Sequence, residues 1–159
     1  MFRSLIALAV SALVSASATA DDKFVRLVNV DTGKVLAVKD DSGEAGTRAV
    51  LAKLAEDNKA QQWKLEKDGS HYKLVNRKSG KVLDVNDESK DEGGDIIIWD
   101  DKDDGVDNQR WSWDGDGKER RLKSKSSGLV LDLNKEDGVI QNKADDKAKG
   151  QLWKLVEVK

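Results

Sequence analysis

The sequence predicts an all-β domain made of three copies of one repeat, on three observations. A turn-and-strand motif occurs three times, as Val28-Asn29-Val30-Asp31-Thr32-Gly33-Lys34-Val35-Leu36-Ala37-Val38, as Val75-Asn76-Arg77-Lys78-Ser79-Gly80-Lys81-Val82-Leu83-Asp84-Val85, and as Lys123-Ser124-Lys125-Ser126-Ser127-Gly128-Leu129-Val130-Leu131-Asp132-Leu133. Its glycines recur at 47 and 48 residues. A second motif closes each copy, Gln61-Gln62-Trp63, Gln109-Arg110-Trp111 and Gln151-Leu152-Trp153, with tryptophans 48 and 42 residues apart. Between the two motifs lie short apolar runs separated by Gly- and Asp-rich turns, the pattern of strands rather than helices.

Each element follows from local chemistry. The glycine before each K/L-V-L run is expected to supply the positive φ of a hairpin turn. Val35 to Val38, Ile96 to Trp99 and Leu152 to Leu155 read as strands. Gln and Trp, two positions apart, are placed on one side of a strand, the Trp in the core and the Gln satisfying nearby backbone groups. The segment Ala49 to Ala60, rich in Ala, Leu, Lys and Glu, has helical composition; it is read as strand because its counterpart, Asp95 to Trp99, is β-branched.

At the N-terminus, Met1-Phe2-Arg3, the apolar stretch Leu5 to Val14 and Ala18-Thr19-Ala20 have the layout of a secretory signal peptide. Its apolar core is too short to span a bilayer comfortably. The expected organisation is a signal peptide at 1–20 and one domain at 21–159, with repeats at 21–69, 70–117 and 118–159. The expected location is secreted and extracellular, or periplasmic if the source is a Gram-negative bacterium. With no Cys in the sequence, stability must come from the core. A formal net charge of −2 gives no general attraction to nucleic acid.

Three Q-x-W triplets, each preceded by a G-K-x-L-D-V-like strand, resemble the ricin B-chain type of β-trefoil, the R-type lectins. The resemblance covers residues 21–159. It implies a β-trefoil of three four-stranded repeats, with a six-stranded barrel, a cap of three hairpins and one sugar pocket per repeat. Val82 stands where many members carry Cys, so the family's disulfide is missing. The resemblance also implies the binding set: an Asp on the L-D-V strand, an aromatic residue on the next strand, and Asn-Gln just before the Trp. These types suit a sugar, because a carboxylate accepts from adjacent hydroxyls, an aromatic face covers the C–H patch and an amide reads a hydroxyl.

Repeat two has the whole set, Asp84, Trp99, Asn108 and Gln109. Repeat three is partial: Asp132 and Gln151 remain, the aromatic position falls at Gln141 or Asn142, and Gly150 replaces Asn. Asp132, Asn142 and Gln151 are therefore a candidate for a weak second site, still to be tested. Repeat one has Ala37 for Asp, Lys53 or a neighbour in the aromatic place and Ala60 for Asn, and its pocket is expected to be dead.

Catalysis finds little support. His71 is the sole histidine and no Gly-rich phosphate loop follows a strand, so no enzyme activity and no cofactor are expected. From Asp84 to Asp107 there are eleven Asp or Glu against two Lys, read first as solvated loops, with repulsion of anionic glycans or capture of a hard cation such as calcium as the sharper alternatives. Asp100 to Gly105 misses the calcium-loop spacing because Lys102 stands where a carboxylate is needed, so no metal is expected. The basic run Lys118 to Lys125 reads as a solvated strand edge. The expected partners are glycans on a glycoprotein, glycolipid or polysaccharide, with galactose-like sugars bound mainly by repeat two. Neither nucleic acid nor a membrane span is expected, and the domain is expected either to self-associate or to meet dense glycans, since one weak site gains from being linked to others. The alternative is a trefoil that binds no sugar and acts as a secreted protein-binding inhibitor or effector.

Overall fold

The repeated turn motif sets the architecture. In the computed structural model, which describes residues 23–103 and 106–159, Asn29, Asn76 and Ser124 each end a strand and open the same turn. The amides of Gly33, Gly80 and Gly128 donate to the carbonyls of these three residues at 2.9, 2.8 and 2.9 Å. The glycines have φ of 69°, 70° and 73°, the left-handed region that side-chain-bearing residues avoid. The side chains of Asn29, Asn76 and Ser124 accept from backbone amides within the turn, which gives each turn a second closure.

Twelve strands result among the described residues. Repeat one holds β1 (Val25–Asn29), β2 (Val35–Val38), β3 (Ala49–Ala52) and β4 (Trp63–Asp68). Repeat two holds β5 (His71–Asn76), β6 (Val82–Val85), β7 (Gly94–Trp99) and β8 (Trp111–Asp114). Repeat three holds β9 (Arg121–Ser124), β10 (Val130–Leu133), β11 (Val139–Asn142) and β12 (Trp153–Glu157). Antiparallel pairing runs β12–β1–β4–β5–β8–β9, and the bridge between Arg120 and Trp153 joins the two ends into a six-stranded barrel. The hairpins β2–β3, β6–β7 and β10–β11 form the cap, tied together by β7–β11 pairing and by the bridges Arg48–Ile97 and Val50–Gly138. This is the β-trefoil.

Equivalent residues fill the core from each repeat. Trp63, Trp111 and Trp153 are fully buried, with Leu27, Leu74 and Leu122 from the barrel and Leu36, Leu83 and Leu131 from the hairpins. Where Leu51 and Ile98 stand in the first two hairpins, the third has the fully buried Gln141. Its amide donates to the carbonyls of Ser89 and Asp91 and accepts from Ser127 Oγ, so it ties repeats two and three together. Among the described residues, no helix is long and apolar enough to cross a membrane.

Three expectations need correction. Ala49 to Ala60 is strand only as far as Ala52. Beyond it the chain must cross from cap to barrel, Leu54 is half-exposed, and Asn58 caps a 3-10 turn at Lys59–Gln61 by accepting from the Ala60 amide. The glutamines of the Q-x-W triplets end 3-10 turns, with only the tryptophans on strands. The basic run is no sheet edge: β9 is paired on both sides, by β8 and β10, with Leu122 and Ser124 turned inward and Lys123 outward. The segment at 1–20, expected from the sequence to be a signal peptide, lies outside the described residues.

Candidate functional site

Each Q-x-W glutamine pins the loop before it. Gln61 accepts from the Ala55 amide and donates to the Lys53 carbonyl. Gln109 does the same with Lys102 and Asp100, and Gln151 with Asp145 and Lys143. In repeat two this arrangement also builds a site. Gln109 Nε2 donates to Asp84 Oδ2 at 2.8 Å, and Asn108 Nδ2 donates to Asp84 Oδ1 at 2.9 Å and to the Val85 carbonyl at 3.1 Å. The L-D-V strand β6 and the 3-10 turn Asp107–Gln109 thus hold one carboxylate between two amides.

Asp84 and Asn108 line a cavity of about 290 Å³ with Asn86, Asp87, Glu88, Ile97, Trp99 and Lys102. Trp99, 38% exposed, stands at the end of β7 opposite Val82 and contributes an aromatic surface. Repeat one supports it from behind. Gly46 donates to the Ile98 carbonyl, and a Cβ there would lie 3.4 Å from Trp99 Cζ3. Asp87 and Glu88 follow β6 in a tight turn with φ of 52° and 54°. Asp40 and Asp41 adopt the same conformation in repeat one, so this strain belongs to the fold rather than to the site.

Burial pushes the Asp84 carboxyl above its ordinary pKa, the largest effect on it, while the Gln109 and Asn108 donors and the Lys102 charge pull the other way. An ionised carboxylate has about four acceptor positions, so two amide bonds leave room for hydroxyl donors. Both bonds from Asn108 Nδ2 are internal, and its buried Oδ1 has no donor among the described residues.

The predicted residues therefore separate. Asp84, Trp99 and Asn108 come together at one cavity. Gln109 is fully buried behind Asp84 and positions it. In repeat three, Asp132 Oδ2 accepts from Asn142 Nδ2 at 2.9 Å and Gln151 Nε2 at 3.0 Å, while Oδ1 accepts from the Leu133 amide. Strand register puts Asn142, not Gln141, in the place of Trp99, so an amide bound to the carboxylate replaces the ring. In repeat one the same register puts Ala52 there, beside buried Ala37 and Ala60.

Asn86, Asp87, Glu88, Lys102 and Ile97 line the cavity without having been read from the sequence as binding residues. The signal for Asn86, Asp87 and Glu88 was their place just after the L-D-V strand, and for Lys102 its place in the loop before the Asn-Gln pair, both hidden within the acidic run. Much of that run is engaged in ion pairs. Asp100 meets Lys81, Asp101 meets Lys73, Asp107 meets Lys125, Glu92 meets Lys143 and Asp95 meets Arg48. Among the described residues, no cluster of His, Cys, Asp or Glu has the makings of a metal site.

Comparison with known proteins extends the geometry. The family model described as ricin-type beta-trefoil lectin domain-like matches residues 13–99, more than half of the chain. Comparison with curated proteins yields no match. Among solved structures, the designed three-fold symmetric protein ThreeFoil is 31% identical with a TM-score of 0.77, over 84% of this chain and 97% of its own. An exo-beta-1,3-galactanase from Clostridium thermocellum is 36% identical with a TM-score of 0.76, over 86% of this chain but only 30% of that enzyme. The hemolytic lectin CEL-III is 26% identical with a TM-score of 0.69, over 84% of this chain and 30% of that one. Fold, repeat and family model agree: the chain belongs to the ricin-type β-trefoil lectin-like family.

Proposed function

We propose that this chain is an exported lectin that binds a galactose-like glycan through repeat two. The observation that carries the reading is the Asp84 carboxylate, held between Asn108 and Gln109, in one cavity with the exposed Trp99 ring. In this reading Asp84 accepts from two adjacent sugar hydroxyls, Trp99 covers the sugar's C–H face and Asn108 Oδ1 accepts one further hydrogen bond. Gln109 keeps the carboxylate in place. Family membership and the lectin neighbour support carbohydrate binding in general.

Repeats one and three lack the ring, and the Asp132 carboxylate of repeat three is already held by Asn142, Gln151 and the Leu133 amide. With one working pocket, affinity is low, and useful binding comes from self-association or from dense glycans. The test is a glycan array followed by titration of hits against the parent and Asp84→Ala. Binding by the parent that Asp84→Ala removes is the expected result. Equal binding by both proteins would displace the site from repeat two, and no binding at any glycan density would favour a protein-binding trefoil. That second reading is kept because two of the three pocket positions have lost their rings.

A further inference from the structure

The charge left over at the cavity says more about the sugar. Five of the eleven acidic residues between Asp84 and Asp107 are drawn into ion pairs with basic residues of other strands and loops. Asp87 and Glu88 are not: neither has an ion-pair partner among the described residues, and both line the cavity beside Asp84. Among the described residues of the lining Lys102 is the one base, so three carboxylates there face one ammonium. A second, independent feature is Asn108, 3% exposed and in the lining, whose Oδ1 lacks a donor among the described residues. A buried acceptor left unpaired costs free energy that a ligand donor would recover. Excess negative charge and spare acceptors make the cavity complementary to a sugar rich in donors and carrying positive charge.

We propose that the preferred ligand of the repeat-two cavity is a hexosamine residue with a free amino group, as in a de-N-acetylated glycan. The inference rests on the glycan reading above and narrows it. The ammonium faces the Asp87 and Glu88 carboxylates, while neighbouring hydroxyls bond Asp84 and the C–H face lies on Trp99. N-acetylation would remove the charge and with it the advantage.

The experiment measures the affinity of the domain for three probes at pH 6 and low salt: methyl β-galactoside, the methyl glycoside of galactosamine and its N-acetyl form. Binding of the free amine roughly threefold to tenfold tighter than either neutral probe is expected, the range for a few solvated charge contacts. High salt should shrink that ratio, and so should the double variant Asp87→Asn, Glu88→Gln, which keeps side-chain size and allows the turn's left-handed backbone at position 87. Lys102→Gln should enlarge it. Neutral probes binding as well as the amine, or better, would overturn the inference and leave the lectin reading in place. Amine binding that survives unchanged in Asp84→Ala would place the amine elsewhere and overturn it too. If no probe binds, the inference falls, and the lectin reading is decided separately by the array of dense glycans.

Discussion

Asp84 carries two duties that pull in opposite directions. Its carboxylate closes two buried hydrogen bonds, and in the proposed function it also serves a ligand. Asp84→Ala should therefore lose about 1–3 kcal/mol of stability together with glycan binding, because the Asn108 and Gln109 donors are left without it. Chemical denaturation alongside a binding titration checks both halves. The pH dependence follows from the raised pKa of this group. The folded protein holds the Asp84 proton more tightly than the unfolded chain, so between the ordinary aspartate pKa and the raised one this group's contribution to stability falls as pH rises. Binding runs the other way: protonation removes the ionised acceptor, so affinity should drop as pH falls through the raised value. Following the Asp84 carboxyl carbon by NMR while measuring affinity should give one shared midpoint. Affinity that persists well below that midpoint would separate the carboxylate from the ligand. Trp99, partly exposed, should cost little stability as Trp99→Ala yet abolish binding. If that variant unfolds, the ring belongs to the core.

At the scale of the element, the Q-x-W turn joins a loop staple to a core wedge, and the three copies differ in one bond. Trp63 Nε1 donates to the Leu36 carbonyl at 3.1 Å and Trp111 Nε1 to the Leu83 carbonyl at 3.0 Å. Trp153 Nε1 is buried without a partner among the described residues. Each Trp→Ala should cost about 3–5 kcal/mol from lost packing. Trp→Phe should separate them: at 63 and 111 it orphans a buried carbonyl, and at 153 it removes an unpaired N–H. Trp153→Phe should accordingly be milder than the other two by about 1 kcal/mol. Equal losses in urea melts would mean that packing volume alone decides. The turn motif has a similar asymmetry. The Asn29 and Asn76 amides reach the Gly150 and Ala60 carbonyls of neighbouring Q-x-W turns, whereas Ser124 is too short to do so.

Across the whole molecule, what the sequence made legible is what depends on local necessity. Gly33, Gly80 and Gly128 need a left-handed backbone, and Trp63, Trp111 and Trp153 fill equivalent core positions, so both leave a periodic trace. Asp84, Trp99 and Asn108 could be picked out through the family resemblance. The rest depends on pairing between distant segments. Whether Gln141 or Asn142 replaces the ring is decided by the β10–β11 register, Gly46 reaches Trp99 from another repeat, and β9 becomes interior only when β8 and β10 flank it. Asp87, Glu88 and Lys102 were hidden because an acidic run looks alike whether or not its members are paired. In the proposed function the unpaired remainder should also set selectivity at this scale. Sulfated or sialylated versions of a bound glycan should bind more weakly than the neutral one at low salt. The gap should narrow as salt shortens the screening length from its roughly 8–10 Å under physiological conditions. Measuring mass in solution during the same titrations tests the expected self-association. A preference for the sulfated form would move binding to the basic stretch at Lys118–Lys125.

The pairing of β1 with β12 also has a consequence in time. Val25 to Asn29 meets Trp153 to Glu157 across the barrel, so the first strand made must wait for the last. As the chain leaves a ribosome, β1 has only β2 and β4 to meet until Glu157 emerges, and the barrel stays open along one seam. Closure that joins the two ends of a chain is slow because a long loop must be ordered before contacts repay it. A nascent chain stalled before Trp153 should therefore remain protease-sensitive along β1, and protection should appear in one step once the last strand is free.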